Sequence, residues 1–368
     1  MHIVHYNLTT TTKEGGVETF VWDLAGEQAR RGERVTIVGG AGPVRRSLPG
    51  VSVRTAPFIA RERFAFGPLR RAYAWRKLAE RLSLLPAALP LLRGADLVHI
   101  HKPYDLVLAP LLRSRGIPLV YHGHGEDFFR GDRGLMRSVP ALLSCSAYNA
   151  ATLRQRYGRD ATVVYNGVDI EHFRPQPRDG ELRRQLAGDA RWLLVHPGRL
   201  MPWKGQGHSI AALSALGDPA VRLVIIGAGE TRAALEQQAR ELGVADQVVF
   251  TGSVAHREMP RYLGCADVVL GASYASETFG MALAEAQSCG RPVLASSWRG
   301  YDDVVEAGVT GERFAAGDPA ALAEQLQSML ADYSRQERLA AAARERVGAL
   351  FSWPSIAERV EQVYRLIV

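Results

Sequence analysis

The feature that most restricts the fold of this chain is a repeated alternation of short apolar runs with amphipathic segments. Near the start, an apolar run at 2–6 leads through a glycine-containing loop to an amphipathic segment over 19–31, and a second apolar run follows at 35–38. Parallel strands need a crossover connection, which is usually a helix, and this order of elements supplies one. The sequence therefore predicts an α/β fold.

The same alternation returns in the second half of the chain. Apolar runs at 191–196 and 221–226 each precede an amphipathic segment, over 206–216 and 231–242 respectively. Two successive sets of such units predict two parallel, Rossmann-like sheets. Because an Asn-Gly turn signal and nearby prolines mark a linker between them, we place the domain boundary near residue 172.

Length and composition are those of a globular protein of two domains. The chain has 368 residues, of which 47% are hydrophobic and 23% are charged. No apolar run approaches the roughly 20 residues of a membrane-spanning helix, and the opening MHIVHYN resembles a strand rather than a signal peptide. Three widely spaced cysteines are too few for a disulfide framework, so we expect buried thiols and a cytoplasmic location.

The positive charge is concentrated in the first half of the chain. Residues 1–172 carry 24 Lys and Arg against 15 Asp and Glu, whereas residues 173–368 carry 21 against 23. The excess is densest over 61–93, where aromatic residues and leucines interleave with basic ones. Such a segment is either a solvated helical face, the simpler interpretation, or a peripheral membrane contact. No nucleic-acid partner is expected, because no recognition motif is present.

Two glutamates, Glu277 and Glu285, are separated by seven residues within the stretch 271–297. The pattern from Gly280 onward predicts a helix, with Glu277 in the loop before it and Glu285 about two turns inside. Free N–H groups at 278–280 and the helix dipole would then form an anion site that suits a diphosphate.

Two cations in a loop of the second half are candidate phosphate ligands. Arg199 and Lys204 follow the apolar run that ends at His196. An arginine offers a planar fork to phosphate oxygens, whereas a lysine offers a compact charge. The chain has only 4 Lys against 41 Arg, so Lys204 is not the default choice of cation here.

Several polar residues and glycines of the first half are expected at the carboxyl ends of strands or at a helix N-terminus, where ligands of doubly wound sheets bind. A histidine pair of the form H-G-H without matched partners is a weak metal site, so we expect no metal. The candidate binding residues of this half are Gly15, His101, His124, Glu126 and Asp127, with His122 and Gly16 beside them.

Together these segments resemble the retaining glycosyltransferases of the large family four. The resemblance is carried by GGVETF, VVYNGVDIEHFRP, GRLMPWKG and ETFGMALAEAQSCGRPVLAS, and it covers nearly the whole chain apart from 40–95. It implies a GT-B fold, in which two Rossmann-like domains face each other across a cleft. The acceptor domain would span 1–172 and the nucleotide-sugar donor domain 173–352, with a C-terminal helix over 353–368 that packs back on the first domain.

The resemblance also implies roles for individual residues. Glu277 would contact the donor sugar and Glu285 the ribose hydroxyls, while the backbone near Val254 reads the base. A histidine at a strand end contacts the sugar or the acceptor; His122 matches it best, and His124 is the alternative. The implied catalytic residues are His122, Arg199, Lys204 and Glu277, and the implied donor-binding residues are Gly16, Arg199, Lys204, Val254, Glu277, Phe279, Gly280 and Glu285.

The predicted function is transfer of a hexose from a nucleoside-diphosphate sugar to a hydroxyl group of a small-molecule or lipid acceptor. Retention of configuration is implied by the family. No cofactor or metal is expected, since Asp302 and Asp303 are adjacent rather than in a D-x-D pattern. Two alternatives remain: a nucleotide-sugar 2-epimerase, which would act without an acceptor, and a non-catalytic nucleotide-sugar-binding protein. A phosphorylase-like enzyme would need a lysine-bound pyridoxal cofactor.

Overall fold

The structure is a computed structural model that describes residues 1–13, 15–43 and 46–368, with all of their side chains except those of residues 68 and 69. The strands of this part of the chain are β1 (His2–Tyr6), β2 (Arg34–Gly40), β3 (Val51–Ala56), β4 (Leu97–Ile100), β5 (Leu119–Gly123), β6 (Ala141–Ser144), β7 (Thr162–Val163), β8 (Trp192–Pro197), β9 (Val221–Ile226), β10 (Val248–Gly252), β11 (Val268–Gly271), β12 (Val293–Ser296) and β13 (Glu312–Phe314). The α-helices of the same residues are α1 (Gly16–Arg30), α2 (Tyr73–Ala88), α3 (Ala109–Arg113), α4 (Asp132–Met136), α5 (Ala147–Tyr157), α6 (Gly180–Ala187), α7 (Gln206–Leu216), α8 (Arg232–Glu241), α9 (Met259–Cys265), α10 (Met281–Ser288), α11 (Pro319–Ala331), α12 (Tyr333–Leu350) and α13 (Trp353–Arg365).

The chain divides into two compact units. The first comprises residues 1–167 and 353–368, and the second comprises residues 168–352. The first residue of the second unit is held there by its backbone, because the amide of Val168 donates to the carbonyl of Phe351 over 2.7 Å. This division lies a few residues before the position 172 that the turn and proline signals indicate.

The sheet of the first unit is parallel throughout. Among the described residues it has seven strands in the order β3-β2-β1-β4-β5-β6-β7. The chain moves outward from β1 to β3 and then crosses to the other side of β1 at β4, so the strand order reverses between β1 and β4. Ligands of doubly wound sheets bind outside the carboxyl ends of strands at such a reversal.

The sheet of the second unit follows the same rule. Its described strands, six in number, are parallel and take the order β10-β9-β8-β11-β12-β13. The strand order reverses between β8 and β11, which brings the loops after these two strands to the same edge of the sheet. The prediction of an α/β chain with two Rossmann-like sheets is confirmed.

One face of the first sheet is covered by α1 and α13. Phe20 of α1 and Trp353, Val360 and Tyr364 of α13 are buried together with the strand residues beneath them. Burial of a large apolar side chain contributes about 1.5–3 kcal/mol, so this layer fixes the C-terminal helix on the first unit. The packing is close: a Cβ atom at Gly167 would lie 2.4 Å from the Trp353 ring.

Helix α1 begins one turn earlier than the sequence predicts. Its first residue is Gly16 rather than Thr19, and Gly15 precedes it in an extended conformation with φ of 177°. The acidic side chain of Glu18 lies in the first turn, where a negative charge interacts favourably with the helix dipole. That interaction accounts for the earlier start.

The three cysteines are buried and unpaired, as predicted. Burial raises the pKa of the Cys289 thiol to about 12, so this sulfur stays protonated and unreactive at neutral pH. The cysteines therefore belong to the core.

Candidate active site

The loop between β11 and α10 is fixed by close packing. Gly280, which precedes the helix, has φ of 94°, a left-handed conformation that favours glycine. A Cβ atom at this position would also lie 2.6 Å from the ring of Tyr301. The Tyr301 hydroxyl in turn donates to Ser273 Oγ over 2.8 Å. These contacts determine where the loop presents Glu277.

The carboxylate of Glu277 is bound on both of its oxygens. Lys204 Nζ donates to Oε2 over 2.5 Å, and the Gly280 amide donates to Oε1 over 3.2 Å. The main-chain carbonyl of Glu277 accepts a hydrogen bond from Trp298 Nε1 over 2.8 Å. The expectation of a free N–H at Gly280 is therefore wrong, because the Glu277 side chain occupies that donor.

A cavity of about 230 Å³ lies at the start of α10. Its walls include Lys204, Glu277 and Glu285, together with the backbone of Gly198 and Gly280. The loops after β8 and β11 and the first two turns of α10 supply these residues, which is what the strand order of the second sheet predicts for a ligand site. The cavity combines one cation, two carboxylates and a helix N-terminus, so it can hold a diphosphate beside hydroxyl groups.

Glu285 lies inside α10 and is 8% exposed. Its Oε1 is 2.9 Å from Nε2 of His256, whose side chain is 60% exposed. Sequence reasoning missed His256, although its place just after β10 was an available signal, since residues that follow the carboxyl end of a strand often face the ligand. His256 therefore contacts one oxygen of the Glu285 carboxylate.

Arg199 lies on the loop after β8, where two loops touch backbone to backbone. A Cβ atom at Gly227 would lie 2.0 Å from the Gly198 carbonyl oxygen, and one at Gly229 would lie 2.1 Å from that of Leu200. Arg199 is exposed and, among the residues that the structure describes, forms no salt bridge. Its guanidinium group is therefore available to an anionic ligand.

Other residues of the second unit support this site. His196 lines the cavity, and its Nδ1 lies 2.9 Å from Ser209 Oγ. Burial lowers its pKa to about 3, so the ring is neutral beside the cations. Phe279 is buried with its ring 5.2 Å from that of Phe351, so it anchors the loop. Val254 is partly buried and follows β10 by two residues.

Three histidines meet at the carboxyl ends of β4 and β5. One ring nitrogen each of His101, His122 and His124 lies within 4.8 Å of the others. Burial is the main cause that lowers the pKa of all three, so the rings are neutral. His122 is fully buried and donates to the Val164 carbonyl over 3.1 Å, whereas His124 is only partly buried. His124 is thus the histidine that reaches the surface.

The acidic candidates of the first unit are bound elsewhere on its surface. Glu126 accepts a hydrogen bond from the Tyr148 hydroxyl over 2.9 Å, and Asp127 forms a salt bridge with Lys77. Both carboxylates are exposed, so neither joins the buried histidine cluster.

The first turn of α1 carries a charged side chain whose contacts sequence reasoning missed. Glu18 is buried and forms a salt bridge with Lys102, which follows β4. A Cβ atom at Gly15 would lie 2.5 Å from Glu18 Oε2, whereas one at Gly16 would meet nothing within 4 Å. Of the two glycines, Gly15 is therefore the one where a larger residue would displace the Glu18 carboxylate.

Both halves of the chain match family models. A model described as glycosyl transferases group 1 matches residues 178–346, which include Arg199, Lys204 and both glutamates of the cavity. A model described as glycosyltransferase family 4 matches residues 14–172.

Individual proteins are similar over most of the chain. D-inositol 3-phosphate glycosyltransferase 1 of Catenulispora acidiphila is 31% identical over an alignment that spans 95% of this chain and 90% of that protein. The GDP-mannose-dependent α-(1-6)-phosphatidylinositol monomannoside mannosyltransferase of Mycobacterium tuberculosis is 31% identical over 70% of this chain and 72% of its own length. The crystal structure of Anabaena HepE with UDP and glucose superposes with a TM-score of 0.82 at 25% identity, over 100% of both chains.

Proposed function

This chain belongs to glycosyltransferase family four and is an enzyme, and we propose that it transfers a sugar from a nucleoside-diphosphate sugar to a hydroxyl group of an acceptor. Transfer proceeds with retention of anomeric configuration and without a divalent metal ion at the diphosphate. The observation that carries the proposal is the cavity at the start of α10, where Lys204, Glu277 and Glu285 converge.

The chemistry of the step follows from where charge develops. As the bond between the anomeric carbon of the sugar and the diphosphate breaks, negative charge grows on the leaving diphosphate. Lys204, Arg199 and the N-terminus of α10 carry positive charge or partial charge on one edge of the sheet, and fixed charges of this kind stabilise the transition state. Two cations perform the task that a metal ion performs in other transferases, which supports metal independence.

The way in which Glu277 is held argues against a covalent glycosyl-enzyme intermediate, so the proposed retention proceeds by same-face attack. Both of its carboxylate oxygens already accept hydrogen bonds, from Lys204 and from the Gly280 amide. A carboxylate bound in this way orients the sugar hydroxyls rather than attacks the anomeric carbon. The acceptor hydroxyl then attacks on the face that the diphosphate leaves, and the departing phosphate oxygen takes the hydroxyl proton.

We place the residues that contact the acceptor in the first unit. His124 reaches the surface at the carboxyl end of β5, so it, rather than the enclosed His122, contacts the sugar or the acceptor. The named relatives act on an inositol phosphate and on a phosphatidylinositol mannoside. A polyol bearing a phosphate, either free or as a lipid headgroup, is therefore the acceptor class to test first.

Contact with a membrane through 61–93 belongs to the same proposal. No helix that the structure describes is long and apolar enough to cross a bilayer. The segment does expose large apolar side chains, with Phe66, Tyr73 and Trp75 at 61%, 50% and 56% exposure. Arginines surround these rings, which is the pattern of a helix that lies on anionic headgroups.

The experiment is an activity screen that uses purified protein. Nucleotide sugars are first ranked by thermal shift, and the best donors are incubated with inositol phosphates and with phosphoinositide lipids. Mass spectrometry should show a hexosyl product only when acceptor is present. NMR of that product should show the same anomeric configuration as the donor. The rate of transfer should be unchanged when a metal chelator is added.

Three results would contradict the proposal. Sugar interconversion without an acceptor would indicate an epimerase, and donor binding without any turnover across the acceptor panel would indicate a binding protein. An inverted product would exclude retention.

A further inference from the structure

Three fully or almost fully buried histidines share one face of the first sheet. In the register of β1 with β4, His5 is the direct partner of His99, and His101 follows His99 by two residues. Side chains in strands alternate between faces, so all three rings point to the same side. That side is covered by α1 and α13, and the three residues are 0%, 0% and 2% exposed.

The inward nitrogens of these rings converge. His5 Nδ1 lies 3.2 Å from His101 Nε2, and one nitrogen of each of the three rings lies within 4.8 Å of the other two. Zinc–imidazole bonds of about 2.0–2.1 Å place the nitrogens of a tetrahedral site roughly 3.4 Å apart. The separation of the His5 and His101 nitrogens is close to this value, and a nitrogen of His99 lies within 4.8 Å of both.

The outward nitrogens of the rings are fixed by partners. His5 Nε2 lies 2.7 Å from Gln28 Oε1, and His99 Nδ1 lies 2.6 Å from the Tyr364 hydroxyl. Gln28 Nε2 also donates to the Tyr364 hydroxyl, over 3.4 Å. The Gln28 oxygen accepts only from a protonated Nε2, which leaves the lone pair of His5 Nδ1 facing inward. Histidines that bind metals have their second nitrogen oriented in this way.

One ring nitrogen of this cluster has no partner. His99 Nε2 is buried, and among the described residues nothing hydrogen bonds to it. An unsatisfied buried polar atom costs about 1–3 kcal/mol, so it calls for an explanation such as an unseen ion. A stack of neutral imidazoles that bond only to each other leaves this cost in place, whereas a bound ion removes it.

We infer that His5, His99 and His101 form a binding site for a divalent transition-metal ion, with Zn²⁺ as the best match. Three imidazoles leave the fourth tetrahedral position to a water or hydroxide, which also reduces the buried charge. The ion ties β1 to β4 and, through Tyr364 on His99, to α13. The role of the ion is structural and lies in the first unit, so it is separate from the diphosphate chemistry of the second.

A second triad shares His101 and must be distinguished from the first. His101 Nδ1 lies 3.3 Å from His124 Nε2, and His122 completes that group. We favour the first triad because all of its rings are closed from solvent and because Gln28 and Tyr364 orient two of them. His124, in contrast, reaches the surface and has a place in the proposed reaction.

The test measures metal content in the full-length protein, purified without a histidine tag. After depletion with a chelator under mild denaturation and refolding, the protein is loaded with Zn²⁺, desalted and analysed by elemental analysis. We expect close to one Zn²⁺ per chain and a raised melting temperature. Loading with Co²⁺ should give the intense visible absorption of a tetrahedral site.

Variants then locate the ion. His5→Gln and His99→Gln should each lower the bound zinc at least tenfold, while His208→Gln, a histidine of the second unit, keeps wild-type content. Circular dichroism and a cooperative thermal transition confirm that each variant is folded. The inference is overturned if the wild type retains less than a tenth of an equivalent. It is also overturned if His124→Gln loses the ion while both His5→Gln and His99→Gln keep it.

Discussion

The ammonium group of Lys204 lies 2.5 Å from Oε2 of Glu277, and the two side chains are 20% and 15% exposed. In the proposed donor site, the nucleotide sugar therefore meets a cation that already has a carboxylate partner. Phosphate oxygens must share or replace that partner when the nucleotide sugar binds. Substitutions of the two residues are expected to act in opposite directions on diphosphate binding.

Replacement of Lys204 by alanine should remove most of the turnover. A charge that stabilises the leaving diphosphate is lost, which corresponds to about 3 kcal/mol, or roughly 10²-fold in kcat. Steady-state kinetics with the identified acceptor measure this loss of kcat. The matched control is Arg184→Ala, which removes an exposed cation from α6. A kcat within twofold of wild type would show that Lys204 does not stabilise the leaving group.

The two glutamates should separate in calorimetry. Glu285→Gln should weaken free nucleoside diphosphate about tenfold or more, since a charged hydrogen bond to the ribose contributes roughly 1.5–3 kcal/mol. Glu277→Gln should leave diphosphate affinity unchanged or higher, because Lys204 is released, but should weaken the nucleotide sugar. Glu241→Gln, on exposed α8, serves as the control. The opposite order of effects would exchange the two roles.

Arg199→Lys should lose activity even though it keeps the positive charge. A planar guanidinium group binds two phosphate oxygens at once, and a single ammonium group does not. We expect kcat/KM to fall about tenfold or more, close to the value for Arg199→Ala. If the lysine variant instead matches wild type, Arg199 acts only as a point charge and the bidentate assignment is wrong.

His196 should make the second unit sensitive to acid. Its pKa is near 6.5 when unfolded and is lowered by burial to about 3 when folded, so below pH 6.5 protons favour the unfolded state. Stability is therefore fully present above pH 6.5 and is lost as pH falls toward 3. This histidine alone contributes a loss of about 2 kcal/mol between pH 7.5 and 5.

Urea unfolding of His196→Gln checks this prediction, since glutamine retains a partner for Ser209 but does not titrate. The variant should lose about 2 kcal/mol less than wild type over the same pH interval. Direct NMR titration should show no protonation of His196 down to pH 5. An equal loss in both proteins would assign the acid sensitivity to other groups.

The basic segment 61–93 should bind anionic vesicles if the acceptor is a lipid. Flotation should be strong at about 0.01 M salt and weak at 0.15 M, because screening shortens the Debye length from roughly 30 to 8 Å. Phe66→Ser with Trp75→Ser should reduce binding, while Tyr333→Ser, an exposed aromatic residue of the second unit, should not. No flotation of wild type at low salt would leave this segment as a solvated face.

Short sequence segments predict much of the candidate site, but they do not predict the contacts inside it. The helix over Met281–Ser288 and the loop position of Glu277 were predictable, because glycine signals and helical periodicity act over a few residues. The sequence did not predict that the Glu277 carboxylate accepts hydrogen bonds from the Gly280 amide and from Lys204. A side-chain rotamer and a partner 73 residues away decide it.

Local sequence patterns were enough to predict the α/β class, the alternation of strands and helices along much of the chain, and the strand ends at which polar residues lie. These depend on local periodicity and on turn residues, which any segment carries with it. Which of those residues meet depends on the fold of the whole unit. His5 and His101 are 96 residues apart in the chain, yet strand register places their nitrogens 3.2 Å from each other. Strand order and register result from packing of the whole unit, so no local pattern encodes them.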